Sequence, residues 1–97
     1  MTVNHIIMIQ TKPGVTEEQM EEGFERARNL VGKVPGLLDV KFGRNFTDRA
    51  AEFSYGGIIT LTDREALAGY GPHPAHQEVA AIIAGLVENL LVLDFES

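Results

Sequence analysis

An α+β fold with the order β-α-β-β-α-β is predicted from three observations. Four short runs rich in β-branched and aromatic residues read as strands. Two apolar-periodic regions open on capping signals and read as helices. Only a polar loop separates the second strand from the third. That order is the split βαβ or ferredoxin-like arrangement, with helices on one face of a four-stranded antiparallel sheet. At 97 residues the chain has room for one domain, 1–97, which buries roughly 60–70% of its unfolded surface and folds with little stability in reserve.

Val3 to Gln10 is the first expected strand, rich in β-branched residues and ended by Lys12-Pro13-Gly14. Val3, His5, Ile7 and Ile9 share one face; Asn4, Ile6, Met8 and Gln10 share the other. Thr16-Glu17-Glu18-Gln19 fits a capping box, and its glutamates suit the positive end of a helix dipole. Met20, Phe24, Ala27 and Val31 follow as an apolar stripe, to a break near Gly32 and Pro35-Gly36. Leu37 to Phe42 is a shorter second strand, 43–52 a polar loop, and Phe53 to Leu61 a third strand. Gly56-Gly57 within that strand marks a bulge or a close approach to the backbone. Thr62-Asp63-Arg64-Glu65 caps a short helix towards Tyr70. A further helix starts around Pro74, a residue suited to a first turn, and carries Val79, Ile82, Ile83 and Leu86 towards the sheet. Val87 to Phe95 closes the fold, with Leu90, Val92 and Asp94 on one face and Leu91, Leu93 and Phe95 on the other. One helical layer covers one sheet face. The second face carries Ile6, Met8, Ile58, Leu91, Leu93 and Phe95, a large apolar patch that predicts a two-fold homodimer packed sheet to sheet.

Charge and composition narrow the function. The net charge is −6 and the eight Lys and Arg residues never form a run, which argues against nucleic acid and anionic membranes as partners. With no cysteine, disulfides, thiol catalysis and iron–sulfur clusters are excluded. No signal-peptide pattern and no apolar run of membrane-spanning length are present, so a cytoplasmic location is expected. No phosphate-cradling, dinucleotide or nucleophile-elbow motif occurs, and no cofactor is expected.

Chemistry-bearing residues concentrate in Tyr70-Gly71-Pro72-His73-Pro74-Ala75-His76, which holds two of the three histidines. His73 and His76 admit acid–base work, a metal site completed by His5, ligand binding without chemistry, or plain helix capping. The metal option lacks a third ligand at a fixed spacing, and no metal is expected. His5, alternating with apolar residues on a strand, either satisfies a buried partner or faces a cavity. Tyr70 is either a core residue or a donor to a substrate oxygen. Asp94, which breaks an apolar strand, is either its frayed end or the group that holds a histidine tautomer.

Nearly the whole chain resembles the stress-responsive dimeric A/B barrel family. The resemblance rests on His5, Thr16-Glu17-Glu18-Gln19, Val34-Pro35-Gly36, Phe42-Gly43, Asp63-Arg64-Glu65-Ala66-Leu67, the tyrosine-to-histidine segment and Leu93-Asp94-Phe95. It implies a ferredoxin-like homodimer. The family includes a plant polyketide cyclase that closes a linear polyketide by an aldol condensation without a cofactor. Carried over, Tyr70 would polarise a carbonyl, His76 would remove a proton from the adjacent carbon, and Asp94 would orient His76. His5, Ile7, Phe24, Tyr55, Gly57 and His73 would line the pocket. The chain departs from that cyclase at Tyr55, Gly57, Ala27 and Val87, where the cyclase has histidine, valine, tyrosine and tryptophan, so a differently shaped pocket is expected. Two functions stand: a cofactor-independent cyclase or lyase on a small carbonyl compound, and a non-catalytic stress-response or metabolite-binding dimer.

Overall fold

The computed structural model describes residues 1–97 and contains β1 (Val3–Thr11), α1 (Glu17–Arg28), β2 (Leu37–Arg44), β3 (Tyr55–Leu61), α2 (Arg64–Tyr70), α3 (Pro74–Ala84) and β4 (Val87–Glu96). All strand pairs are antiparallel and the sheet order is β2-β3-β1-β4, the ferredoxin-like topology. β1 is therefore central, and its registers set the site. His5 lies opposite Ile59 on one side and opposite Asp94 on the other.

The capping box at the start of α1 forms as expected: the Gln19 N–H donates to Thr16 Oγ1 at 3.2 Å, and the Thr16 N–H donates to Gln19 Oε1 at 2.9 Å. Acidic Glu17 and Glu18 occupy the first turn and Arg26 and Arg28 the last, both signs complementing the helix dipole. The helix buries Met20, Gly23, Phe24 and Ala27. It stops at Arg28, earlier than the apolar spacing predicts, and the stripe changes phase there. Leu30 is buried at 3% exposure while Val31 is 43% exposed, because a turn rather than a further helical turn carries residues 29–34. Gly36 takes φ +79°, and a Cβ there would lie 2.5 Å from the Ala66 Cβ and 2.8 Å from Thr62 Oγ1. Both the backbone and the close approach of α2 require glycine.

Asp63 caps α2 by accepting from the Ala66 N–H at 2.8 Å. In α3, Val79 is buried, whereas Ile82 is exposed and lies beside Gln19, Glu22 and Arg26 of α1 instead of on the sheet. The α1–α3 contact explains this tilt: at Gly23 a Cβ would stand 3.1 Å from Ile83 Cγ1, so the glycine brings the Ile83 side of α3 against α1. The opposite sheet face leaves Ile58, Leu91, Leu93 and Phe95 exposed, as the alternation predicts; Ile6 and Met8 on the central strand are half-buried. No helix is long and apolar enough to cross a membrane.

Candidate functional site

A cavity of about 410 Å³ lies between α3 and the β1–β4 half of the sheet. Its floor is His5, Ile7 and Ile9 of β1 with Leu90 and Val92 of β4; its roof is His76, Val79, Ala80 and Ile83 of α3. Thirteen of the fifteen lining residues are hydrophobic, and the polar groups His5, Tyr70 and His76 are gathered near one another. Apolar walls with a few convergent polar groups are the usual form of a small-molecule site.

Tyr70 ends α2 and is 5% exposed. Desolvation raises its phenol from the usual 10 to about 12, so the hydroxyl stays protonated at neutral pH. No protein group hydrogen-bonds this hydroxyl, and no sealed polar side-chain atom in the fold lacks a partner, so the hydroxyl opens to the cavity. The His76 ring lies 4.2 Å from the Tyr70 ring, and the His5 ring 6.1 Å from it in an edge-on arrangement.

Hydrogen bonds fix the tautomer of both cavity histidines. His76 Nδ1 is 2.9 Å from the Gly71 carbonyl oxygen. A carbonyl only accepts, so Nδ1 carries the proton and the neutral ring keeps its lone pair on Nε2. Pro72 and Pro74, within the turn that closes this bond, restrict the backbone that delivers Gly71. His5 Nδ1 donates to Asp94 Oδ1 at 2.5 Å, which again leaves Nε2 with the lone pair.

This pairing corrects one expectation. Asp94 does not orient His76. The β1–β4 register places it directly across from His5, and its carboxylate is spent there. His73 is not a pocket residue either: its Nδ1 accepts the Ala75 N–H at 3.1 Å and caps α3. His76 Nδ1 bonds to the Gly71 carbonyl instead, and the two histidines share no hydrogen bond.

Phe24, Tyr55 and Gly57 are also absent from the cavity wall, for one reason. Phe42 lies between them and the cavity. Its ring stacks on Phe24 at 4.3 Å with the planes 5° apart, and Tyr55 packs edge-on against Phe24 at 5.5 Å. At Gly57 a Cβ would stand 2.4 Å from two carbons of the Phe42 ring. The glycine thus makes room for Phe42, which itself lines the cavity. The sequence shows only a glycine in one strand and a large aromatic residue in the strand before it; the β2–β3 register is what sets them opposite each other. Ala27 and Val87 do line the cavity. His5 and Ile7, expected there, are present, and Tyr70 and His76 meet as expected.

Residues 3–97 match the model of the Stress Responsive A/B Barrel Domain family. The chain is 34% identical over 97 residues to olivetolic acid cyclase of Cannabis sativa, covering 98% of this chain and 96% of the cyclase. It is 31% identical to a stress-response A/B barrel domain-containing protein of Arabidopsis thaliana, covering 97% and 88% of the two chains. Among solved structures, a dimeric ferredoxin-like protein of unknown function from Jannaschia superimposes over the full length of both chains with a TM-score of 0.87 at 26% identity.

Proposed function

This chain belongs to the stress responsive A/B barrel family, and on that premise we propose that it binds a small carbonyl compound and removes a proton from the carbon beside the carbonyl. That step opens a cofactor-independent cyclisation or a related lyase reaction. The observation that carries this reading is the juxtaposition of an unpartnered, protonated phenol with an imidazole whose Nε2 lone pair is fixed by the Gly71 carbonyl. Tyr70 donates its O–H to the carbonyl oxygen. His76 Nε2 takes the proton, the C–H electron pair forms the enolate double bond, and the Tyr70 hydroxyl stabilises the charge that reaches oxygen. A cyclase at 34% identity over the full length supports the assignment.

The test uses a medium-chain ketone and follows exchange of its α-protons for deuterium by NMR. Wild type is expected to accelerate exchange, and His76→Gln and Tyr70→Phe each to lower the rate by about a hundredfold or more. Exchange that is independent of both residues, alongside retained ketone binding, supports the second reading, a non-catalytic metabolite-binding dimer. The largely apolar wall favours that alternative.

In either case we infer a homodimer joined through the open sheet face, where Leu93 is 64% exposed and Leu91 52%. Patches of this kind are covered in stable proteins, and the Jannaschia protein is described as dimeric. Light scattering should give twice the chain mass for wild type and a monomer for Leu93→Lys; a wild-type monomer at micromolar concentration overturns the dimer.

A further inference from the structure

We propose that each cavity is completed by the second copy of the chain, whose Phe46 covers the mouth beside β4. The inference rests on the open-face homodimer and on the cavity being a ligand site. Within one chain the mouth is unfinished. Leu90 and Val92 line the cavity yet remain 41% and 47% exposed, and β4 is an edge of the sheet with no strand beyond it. An apolar entrance left in that state puts wall and ligand in contact with water.

The relief of the open sheet face fixes how the second copy sits. Strand registers align its residues in rows. One row reads Gly43, Gly56, Met8, Leu91, and the next reads Lys41, Ile58, Ile6, Leu93. The face is hollow at the two glycines: an added Cβ would meet nothing within 4 Å at Gly43, and at Gly56 only the Ile7 carbonyl oxygen at 3.7 Å. It is high along β4, where Leu91 and Leu93 stand exposed. Two such faces fill each other when the two-fold axis runs along the strands, because the partner's Leu91 then stands over Gly43 and the partner's Met8 over Gly56. An axis across the strands would set high edge on high edge and leave the hollow unfilled, against the close packing that interface cores reach. The axis along the strands brings the β2 edge of one chain beside the β4 edge of the other, and each row stays level with its own copy. The row after the glycines pairs Asn45 with Ser54 and Gln10 with Asn89, next to Leu90. Phe46 follows Asn45, is 95% exposed and does not line the cavity of its own chain. Its ring therefore arrives at the partner's Leu90 and supplies the apolar cover that the mouth lacks.

The chain has no cysteine, so cross-linking reads this placement directly. A Phe46→Cys chain and a Leu90→Cys chain, mixed as dimers of wild-type mass and oxidised, are expected to give a covalent dimer on a non-reducing gel, and each alone to give none. Titration calorimetry with methyl heptyl ketone reads the consequence. Phe46→Ser, still dimeric by light scattering, should bind the ketone about tenfold or more weakly than wild type. In a mixed dimer of Phe46→Ser with Ala80→Leu, the added bulk fills the second chain's own cavity, while the first chain's cavity is covered by an intact Phe46 from its partner. One ketone per dimer should then bind with wild-type affinity. Absence of the mixed cross-link overturns the inference. So does unchanged affinity in Phe46→Ser, or a mixed dimer that binds as weakly as the Phe46→Ser homodimer, which would place the effect within one chain. A wild-type monomer removes the dimer and the inference together. A mixed cross-link alongside a wild type that binds no ketone removes the ligand-site reading instead, and still supports Phe46 at the partner's mouth.

Discussion

Helices α1 and α3 cover the same face of the sheet but meet it differently. α1 buries four residues, and Phe24, Phe42 and Tyr55 interlock beneath it with Met20 and Ile9 nearly inaccessible. α3 buries only Val79. It leans on α1 through the Gly23–Ile83 contact and stands off β4, whose inward-facing Leu90 and Val92 remain 41% and 47% exposed. One half of the layer is a packed core and the other half is a container. The polar groups belong to the container's wall because a cavity tolerates an imidazole or a phenol that a close-packed interior would have to satisfy or expel.

Truncation should expose the contrast most strongly. Phe24→Ala removes a residue at 1% exposure from the packed half and is expected to cost about 3–5 kcal/mol, read as a fall in the urea midpoint at unchanged slope. A loss below about 1 kcal/mol would mean that the two halves are equally loose.

Alkali should produce the next largest effect. The Tyr70 phenol is raised to about 12 in the folded protein against about 10 when exposed. Between those values the unfolded chain has lost the proton and the folded chain has kept it, so stability is complete below pH 10 and falls as pH rises towards 12. The decline is of order 2–3 kcal/mol. Tyr70→Phe should remove that component of the alkaline transition; an identical slope in the variant would place the phenol in solvent.

Added volume should separate the halves in the opposite sense. Gly57→Ala forces a methyl into the Phe42 ring and is expected to cost about 1–3 kcal/mol. Ala80→Leu, a larger addition on the cavity wall, is expected to change stability by less than about 1 kcal/mol while abolishing ligand binding. Equal destabilisation by the two would show that the cavity closes up in solution.

The order of elements was legible because each rests on local signals: the box at Thr16, the cap at Asp63, Pro74 at a first turn, and the alternation in β1 and β4. Local signals also brought Tyr70 and His76 together, since both belong to one turn. What was not legible depends on partners far apart in the chain. Pairing Asp94 with His5 needs the β1–β4 register, and assigning the pocket wall to Phe42 needs the β2–β3 register together with the stacking on Phe24. Val31 failed for a related reason, because helical spacing cannot report where a helix yields to a turn.

The cross-strand position of Asp94 ties the chemistry to strand alignment. Side chains in a strand alternate with a period of two, so sliding β4 by a single residue would present Leu93 or Phe95 to His5 and turn the carboxylate to the far side. The irregularity in that pairing, at Gln10 and Thr11, lies at the end nearest the turn from α3 into β4. The ladder from Gln10 back to His5 is regular, so the irregularity leaves the alignment of Asp94 with the imidazole intact.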